Sequence, residues 1–499
     1  MQAPPCLEPG QAAIGDMSTM KHAVANATFW AVLETGGGQA SAFLLFVVFA
    51  RLLPPQEFGV YALSMAILGM VNMVLFQGFG DALIQREELT EERISTAFWT
   101  NMMLATGMVA LLQVVALCAP VLFGEPMLRP VIAAVSFLCI PRAMISVHNA
   151  LFRRALDLRV FAIRTILGYL AGGVAGVTLA VLGLGIWALV VSQFIQSAVI
   201  VVVMWRSSEW RPRLVFSRTA FRELLRFSKH FMAASVISSS IDDLGNILIG
   251  LSLDVTAVGY YSLALRVMRA VITLTMTPVA LVMMPVLSRI AHDRGQFGAA
   301  YSNMVLTTST VWLPVVAGLG LVAPDLLPSV FGGHWSGAVP VVRAMCFAAL
   351  TMPLWAFSGQ ALSALGRPDV FARIAFWQLG LYCIVLPVAS HFGIVAVGWA
   401  WSALSAAMVP IALISLRQLS GLDVTALLVK TAKLALCGGA LVATVLLVRI
   451  GLPARLWSTA AEAVAGAAVY AAVLNLFVIP GHLTRIVSLA RGAMPAHEA

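Results

Sequence analysis

The sequence predicts an all-α polytopic membrane protein of about fourteen transmembrane helices. We expect two parallel-repeat lobes of six helices around a central cavity, followed by two C-terminal helices. The first supporting observation is composition, since 60% of the 499 residues are hydrophobic and 11% are charged, with a mean hydropathy of +0.93. These values exclude an ordinary soluble domain. The second observation is a series of apolar runs about twenty residues long, the length that crosses a bilayer as a helix.

The predicted spans follow the apolar runs in chain order. They lie at 29–51, 58–84, 97–123, 130–151, 160–182, 184–205, 227–252, 258–287, 301–323, 339–364, 371–391, 394–416, 427–449 and 458–480. From these spans we divide the chain into two lobes and their flanking segments. The divisions are a cytoplasmic N-terminal segment at 1–28, the N-lobe at 29–205, a basic cytoplasmic connector at 206–226, the C-lobe at 227–416, helices 13 and 14 at 427–480, and a cytoplasmic tail at 481–499. The N-terminal segment contains no apolar run, so we expect no cleavable signal peptide.

The distribution of basic residues predicts the orientation of the chain. Most Lys and Arg residues lie in alternate loops, on the side that also holds both termini. The opposite loops contain Arg51, Arg129, Arg343, Arg449 and Arg455. Because cytoplasmic loops of membrane proteins are enriched in Lys and Arg, both termini should be cytoplasmic. We therefore attribute the net charge of +9 to membrane topology and expect no nucleic-acid partner.

An internal repeat at a shift of 200 positions predicts the two lobes. The matched pairs are Gly59 with Gly259, Tyr61 with Tyr261, and Leu63 with Leu263. The shift spans an even number of predicted helices, so both copies have the same orientation, as in transporters whose lobes are related by an axis along the membrane normal. Chance similarity between apolar helices is the alternative.

Two arginines lie inside the predicted span at 258–287. Arg266 and Arg269 are three residues apart, so they share one face of a helix. An arginine at a helix centre costs roughly 2.5–3.5 kcal/mol on insertion scales, so the pair should face a hydrated cavity or an anion and not lipid. Two guanidinium groups on one face suit a diphosphate, because each binds phosphate oxygens bidentately. The alternative for Arg266 is that its side chain extends to the headgroups.

A weakened helix is predicted in the first span, beside a carboxylate. Glu34 is followed closely by Gly36, Gly37 and Gly38. Glycine destabilises a helix interior, and irregular membrane helices usually line a cavity. We therefore predict that these four residues take part in coupling or gating.

A second pair of carboxylates, Asp242 and Asp243, has a similar position in the second lobe. Carboxylates within a membrane are candidates to carry a coupling proton or to help hold a sodium ion, so we add both residues to the coupling or gating set. The alternative is a structural salt bridge from Glu34, Asp242 or Asp243 to Arg266 or Arg269.

The span at 130–151 contributes one more candidate. Arg142 follows Pro141 and is the third predicted substrate-binding residue, because it could complete an anion site. Pairing with a carboxylate of its own lobe is the alternative. We interpret His148 as a hydrogen-bonded packing residue in preference to a proton relay.

Small residues predict close packing between helices, and prolines inside helices predict bends. Gly168, Gly172 and Gly176 lie at four-residue spacing, which allows close helix contact. Prolines inside helices are candidate kinks. The candidates are Pro278, Pro285, Pro314 and Pro353.

The sequence contains no motif for enzyme chemistry. Phosphate-binding glycine loops, serine-hydrolase elbows and zinc-protease motifs are absent from it. The six cysteines lack the spacing of a disulfide framework or a metal site. We predict a protein that is not an enzyme and has no metal or organic cofactor, with proton or sodium coupling as a possibility.

Two segments resemble a known family. The stretch 50–62, Ala-Arg-Leu-Leu-Pro-Pro-Gln-Glu-Phe-Gly-Val-Tyr-Ala, and the stretch 79–85, Phe-Gly-Asp-Ala-Leu-Ile-Gln, are similar to the first helix pair of Wzx-type polysaccharide flippases. These belong to the multidrug/oligosaccharidyl-lipid/polysaccharide superfamily. The resemblance covers most of the chain in helix order and lobe arrangement.

This resemblance implies a function in the bacterial inner membrane. The expected substrate is an undecaprenyl-diphosphate-linked oligosaccharide that crosses from the cytoplasmic to the periplasmic leaflet during exopolysaccharide, capsule or O-antigen synthesis. A polysaccharide polymerase and export machinery are the implied partners. Arg266 and Arg269 match the eighth-helix arginines of the related lipid II flippases, whereas the first helix has Glu34 where those proteins have arginine.

Two rival functions stay open at this point. An ion-coupled drug or metabolite antiporter of the same superfamily shares the fold, although a cationic cavity disfavours cationic drugs. A membrane polysaccharide polymerase or ligase uses the same lipid donor. The segment around 324–335 is expected to be the longest loop outside the membrane on the side opposite the termini, and it is short for an active site of such an enzyme.

Overall fold

The structure is a computed structural model that describes residue 30 and residues 33–85, 90–154, 157–219, 221–222, 243–451, 466 and 468–474. Every regular element within these ranges is a helix. Ten of the described helices are long and apolar enough to cross a membrane. The predicted all-α polytopic membrane fold is confirmed. The number fourteen stays a prediction. The spans at 227–252 and 458–480 are described only in part, the span at 339–364 is interrupted, and the span at 58–84 lies within one helix that is not among the ten.

The helices of the first half of the chain follow the predicted order. A π-helix, Leu33–Gly37, precedes α1 Gly38–Leu52, α2 Pro55–Gln85, α3 Glu91–Phe123, α4 Leu128–Ser136, α5 Cys139–Arg154, α6 Leu158–Val181 and α7 Ile186–Ser207. In the second half, the helices are α8 243–252, α9 Val255–Thr275, α10 Thr277–Arg289, α11 Arg294–Phe331, α12 Val339–Cys346, α13 Met352–Ala356, α14 Ser358–Ala364, α15 Pro368–Ser390, α16 Ile394–Ser420 and α17 Val424–Gly451.

The chain divides into two compact units. Unit 1 comprises Met1–Phe49, Val71–Ala116 and Pro130–Ala233, and unit 2 comprises Ala50–Met70, Leu117–Arg129 and Ala234–Ala499. The lobe boundaries predicted from the sequence stay predictions.

In unit 1, α6 packs closely against α7. A Cβ on Gly172 would lie 2.7 Å from the carbonyl oxygen of Ser192, and one on Gly168 would lie 3.2 Å from Ile200. A Cβ on Gly176 would again meet Ser192. At Gly172 an added Cβ would meet backbone, so a larger residue there would push the helices apart, and the glycine spacing acts in packing, as predicted.

The predicted single span at 258–287 is wrong in one respect, because it forms two helices. α9 ends at Thr275, Met276 lies at the junction, and α10 begins at Thr277. Pro278 has no N–H to donate to the carbonyl oxygen of Leu274, four residues earlier, and its ring crowds that carbonyl. The candidate kink at Pro278 is therefore confirmed as a helix break.

Two further predicted spans are interrupted. The span at 130–151 consists of α4 and α5, joined by tight turns at Phe137 and Leu138, whose N–H groups donate to carbonyl oxygens three residues earlier. The span at 339–364 is a series of short helices, α12 to α14, with a 3₁₀ helix at Phe347–Leu350. Pro353 begins the second of these, which explains one break.

The segment expected to be a loop around 324–335 is largely helical. α11 continues through Pro324 and Pro328 to Phe331. Trp335 is buried, and its indole Nε1 donates a hydrogen bond of 2.6 Å to the carbonyl oxygen of Ala50 near the end of α1. Leu327, Phe331 and Trp335 of this segment are buried, so it packs against unit 2 through these side chains.

The two copies of the repeat predicted from the sequence contact each other inside unit 2. A Cβ on Gly59 of α2 would overlap the carbonyl oxygen of Val255, and a Cβ on Gly259 of α9 would overlap the carbonyl oxygen of Pro55. Pro55 and Val255 are themselves 200 positions apart, so the contact is reciprocal. Glycine is required at both positions because backbone approaches backbone there.

Candidate functional site

The two predicted substrate-binding arginines lie on α9. Asp254 caps the start of this helix, where its Oδ1 accepts a hydrogen bond of 2.7 Å from the backbone N–H of Ala257. Val267 and Met268 are buried, whereas Arg266 and Arg269 are both exposed. Both arginine side chains therefore lie on the part of α9 that is not covered by the packed interior of unit 2.

Asp243 is the first described residue of α8 and is half-buried. Its carboxylate contacts Gly69 of α2 so closely that a Cβ at that position would overlap Oδ2. Glycine at position 69 therefore allows the carboxylate to lie against α2. Asp242, the other predicted coupling residue of the second lobe, lies outside the described residues.

The weakened helix predicted in the first span is present as a π-helix. Glu34, Gly36 and Gly37 belong to the turn Leu33–Gly37, and α1 begins at Gly38. Gly38 lies against α6, since a Cβ there would be 3.0 Å from Cγ2 of Thr165. π-Helical turns occur frequently at functional sites, and the coupling or gating role of these residues stays a prediction.

Glu34 has a partner that the sequence analysis missed. The guanidinium Nη2 of Arg164, on α6, lies 3.9 Å from Oε1 of Glu34. Nη1 of Arg164 donates a hydrogen bond to Oδ1 of Asn149, and the guanidinium lies 4.4 Å from the ring centre of Phe161. The side chain of Arg164 is 13% exposed. The only signal in the sequence is a single arginine inside the apolar run at 160–182.

One edge of the Arg164 guanidinium, which we term the open edge, makes no hydrogen bond to the described residues. Nε is buried and has no hydrogen-bond partner among the described residues. Nη2 makes the long contact to Glu34 and no hydrogen bond within the described ranges. An N–H to carboxylate hydrogen bond between charged groups is normally about 2.7–2.9 Å, so the pair with Glu34 is electrostatic only.

Arg142 and His148 lie on the same helix, α5, in different environments. Arg142 is exposed. His148 is fully buried, its Nδ1 is 3.1 Å from the carbonyl oxygen of Met144, and its ring lies 5.1 Å from that of Trp205. These contacts agree with the interpretation of His148 as a packing residue.

An apolar groove lies between α1 and α6. It has a volume of about 560 Å³ and is lined by residues that include Leu44, Val48, Ile166, Leu170 and Val174. Such a surface suits a hydrocarbon chain better than a sugar. The predicted site residues do not line this groove.

A second arginine–carboxylate pair links α11 and α17 in unit 2. Nη2 of Arg449 donates a hydrogen bond to Oδ2 of Asp325, and Nη1 donates one of 3.1 Å to the carbonyl oxygen of Leu321. Both charged side chains are about one-third exposed. The sequence analysis placed Arg449 among the loop residues and did not predict this pair.

The predicted site residues are therefore divided between the two units. Arg266, Arg269 and Asp243 belong to unit 2, whereas Glu34, the three glycines after it and Arg142 belong to unit 1. Within unit 1, the structure joins Glu34 to Arg164. The roles assigned to these residues stay predictions.

Comparison with known proteins gives a family match. A family model described as "Polysaccharide biosynthesis protein" matches residues 48–340. The succinoglycan biosynthesis transport protein ExoT of Rhizobium meliloti is 27% identical over 63% of this chain, and the alignment spans 63% of the length of ExoT. The lipopolysaccharide biosynthesis protein WzxC of Escherichia coli is 24% identical over 71% of this chain and 72% of its own.

A solved structure supports the fold. The lipid II flippase MurJ in an inward closed conformation is similar with a TM-score of 0.74 and 13% identity, covering 90% of this chain and 98% of that one. At this identity the similarity establishes the fold alone.

Proposed function

The chain belongs to the polysaccharide biosynthesis protein family, and we propose that it is a flippase for undecaprenyl-diphosphate-linked oligosaccharide. The substrate moves from the cytoplasmic to the periplasmic leaflet of the bacterial inner membrane, for exopolysaccharide, capsule or O-antigen synthesis. Both termini are cytoplasmic in this proposal. A polysaccharide polymerase and export machinery receive the product.

The observation that carries this proposal is the pair of exposed arginines on α9. Arg266 and Arg269 lie three residues apart on a membrane helix whose neighbouring residues are buried. Two exposed guanidinium groups on one helix face can bind the oxygens of a diphosphate bidentately, and their charge complements that of the diphosphate. Arg142 adds a third exposed cation in the other unit.

Transport in this proposal proceeds by alternating access, with the lipid tail in the bilayer and the diphosphate and sugars in a cavity. The π-helix at Leu33–Gly37 is a segment that can change conformation in the first span. Glu34 and Asp243 are the described carboxylates proposed to couple this movement to a proton or a sodium ion. Asp242 completes the proposed coupling set.

The proposal is tested by translocation in proteoliposomes. The assay follows a fluorescent undecaprenyl-diphosphate oligosaccharide and compares the wild type with the double variant Arg266→Ala/Arg269→Ala. We expect the double variant to lose flipping while its elution volume and thermal midpoint stay normal. Arg289→Ala is the matched control, since Arg289 is an exposed arginine at the end of the next helix, and it should flip at the wild-type rate.

The same experiment separates the rival functions. Unchanged flipping by the double variant would reduce both arginines to interfacial anchors. Absence of flipping by the wild type, together with robust drug efflux, would favour the antiporter. Glycosyl transfer by the purified protein would favour a polymerase or ligase.

A further inference from the structure

Arg164 is a buried cation whose binding capacity is only partly used. A guanidinium presents Nε and Nη2 side by side, and this edge binds two oxygens of a carboxylate or phosphate at once. In Arg164 that edge is the one without a hydrogen bond among the described residues, because only Nη1 is occupied, by Asn149.

Another arginine of this chain has both donors of the same edge, Nε and Nη2, hydrogen-bonded. Arg367 donates from Nε and Nη2 to the two carboxylate oxygens of Asp369, at 3.0 and 3.1 Å. In Arg164, by contrast, Nη2 lies 3.9 Å from Oε1 of Glu34, too far for a hydrogen bond. The carboxylate therefore offsets part of the charge without taking the two hydrogen-bonding positions.

The surroundings of Arg164 favour a further anion. The guanidinium of Arg153 lies 5.9 Å from the ring centre of Phe161, and that of Arg164 lies 4.4 Å from the same ring. Arg153 and Arg164 therefore place two positive charges beside one ring, whereas Glu34 contributes one negative charge near Arg164. A phosphate or diphosphate carries more negative charge and more acceptor oxygens than one carboxylate.

Glu34 is placed where it can move. It lies in the π-helix rather than in α1, and a Cβ on the neighbouring Gly36 would meet nothing within 4 Å. Its side chain is 29% exposed, so it reaches the surface of unit 1 more than Arg164 does. A shift of this turn would uncover the open edge of the guanidinium.

We propose that Arg164 binds a phosphate of the lipid-linked substrate and that Glu34 competes with that phosphate for it. When the substrate enters, its phosphate displaces Glu34 from the open edge. When the carboxylate returns, it displaces the phosphate and assists release. This inference deepens the proposed function and rests on it.

The test measures binding and turnover separately in the full-length protein. The probe is undecaprenyl diphosphate, titrated in nanodiscs of neutral phosphatidylcholine. We expect Glu34→Gln to bind it about tenfold more tightly than the wild type, because the competing charge is gone, a difference equivalent to about 1.4 kcal/mol. The same variant should flip several-fold more slowly at saturating substrate, since release loses its competitor.

Variants at the arginine complete the test. Arg164→Gln should lose most of the affinity, and Arg164→Lys should recover only part of it, because an ammonium lacks the two-donor edge. Asp325→Asn is the control, since it neutralises the carboxylate of the other described intramembrane pair and should leave the affinity unchanged. Thermal midpoint and elution volume show whether each variant is folded.

Several outcomes would overturn the inference. Unchanged or weaker binding by folded Glu34→Gln, with normal binding and flipping by the wild type, would overturn the competition alone. Equal displacement of the probe by phosphatidylglycerol would show that any lipid headgroup phosphate binds there. Absence of both binding and flipping in the wild type would overturn the proposed function as well.

Discussion

Two arginine–carboxylate pairs within the membrane helices differ in a way that separates stability from binding. In unit 2, Arg449 donates hydrogen bonds to Asp325 and to the carbonyl oxygen of Leu321, although about one-third of its side chain is exposed. In unit 1, Arg164 is more buried but lies 3.9 Å from Glu34. The more buried cation is the less completely paired one.

A ligand is expected at the arginine that is incompletely paired. Burial of a charge is unfavourable unless the charge is paired and hydrogen-bonded, so a structural pair should be well satisfied. Arg449 and Asp325 fit that description. Arg164 does not, and a substrate anion would supply what its surroundings lack.

The largest expected effect is on transport. Arg164→Gln should slow flipping by about 10- to 100-fold, the equivalent of the roughly 1.5–3 kcal/mol carried by a hydrogen bond to a charged group. Arg449→Gln should flip at a rate close to that of the wild type, because Arg449 is taken to stabilise α17 against α11. Initial flipping rates in proteoliposomes at equal protein density measure the difference. Equal losses in the two variants would contradict the distinction between the pairs.

The second prediction concerns stability, to which the Arg449–Asp325 pair should contribute more than the Arg164–Glu34 pair. Asp325→Ala should lower the free energy of unfolding by roughly 1–3 kcal/mol, less than for a fully buried pair because both side chains are partly exposed. Glu34→Ala should lower it by less than Asp325→Ala does, because the pair with Arg164 has no hydrogen bond to lose. Thermal or denaturant unfolding in one detergent compares the two variants. A larger loss for Glu34→Ala would show that the pair with Arg164 is structural.

The smallest expected effect concerns the conformation of the π-helix and involves no change of charge. Gly36→Ala meets no steric obstacle and should raise helix stability by about 0.5–1 kcal/mol. If the π-helix must move, the same change should slow flipping several-fold. Gly439→Ala is the matched control, because Gly439 lies in α17 with equally open space around its Cβ position. It should stabilise the protein to a similar degree without slowing flipping, and equal rates for both variants would contradict a moving π-helix.

Sequence periodicity and composition predicted the helical membrane fold, the packing role of Gly168, Gly172 and Gly176, and the irregular first span. They did not predict the interruption of the span at 339–364, because an apolar run has the same composition whether it forms one helix or several short ones. The break at Met276 was signalled only by Pro278. A proline predicts that a helix is disturbed but not whether it bends or ends.

The sequence identified only one member of the Arg164–Glu34 pair. Glu34 stood out because glycines follow it, whereas Arg164 lies in an unremarkable apolar run. The salt-bridge alternative named Arg266 and Arg269 as partners for Glu34, and the structure instead shows Arg164 beside it. Residues that are 130 positions apart share no local pattern, so only packing of α6 beside the first span could identify the pair.

The sequence alone therefore determined the fold class, the repeat and the presence of charges within the membrane, since these follow from composition and spacing. The tertiary structure decided which charges meet and how completely each is satisfied. The same distinction holds for Gly59 and Gly259, whose repetition is visible in the sequence but whose backbone contact is not. The physical reason is that hydrogen bonds and close contacts depend on distances of a few tenths of an ångström, which arise only when separate helices pack together.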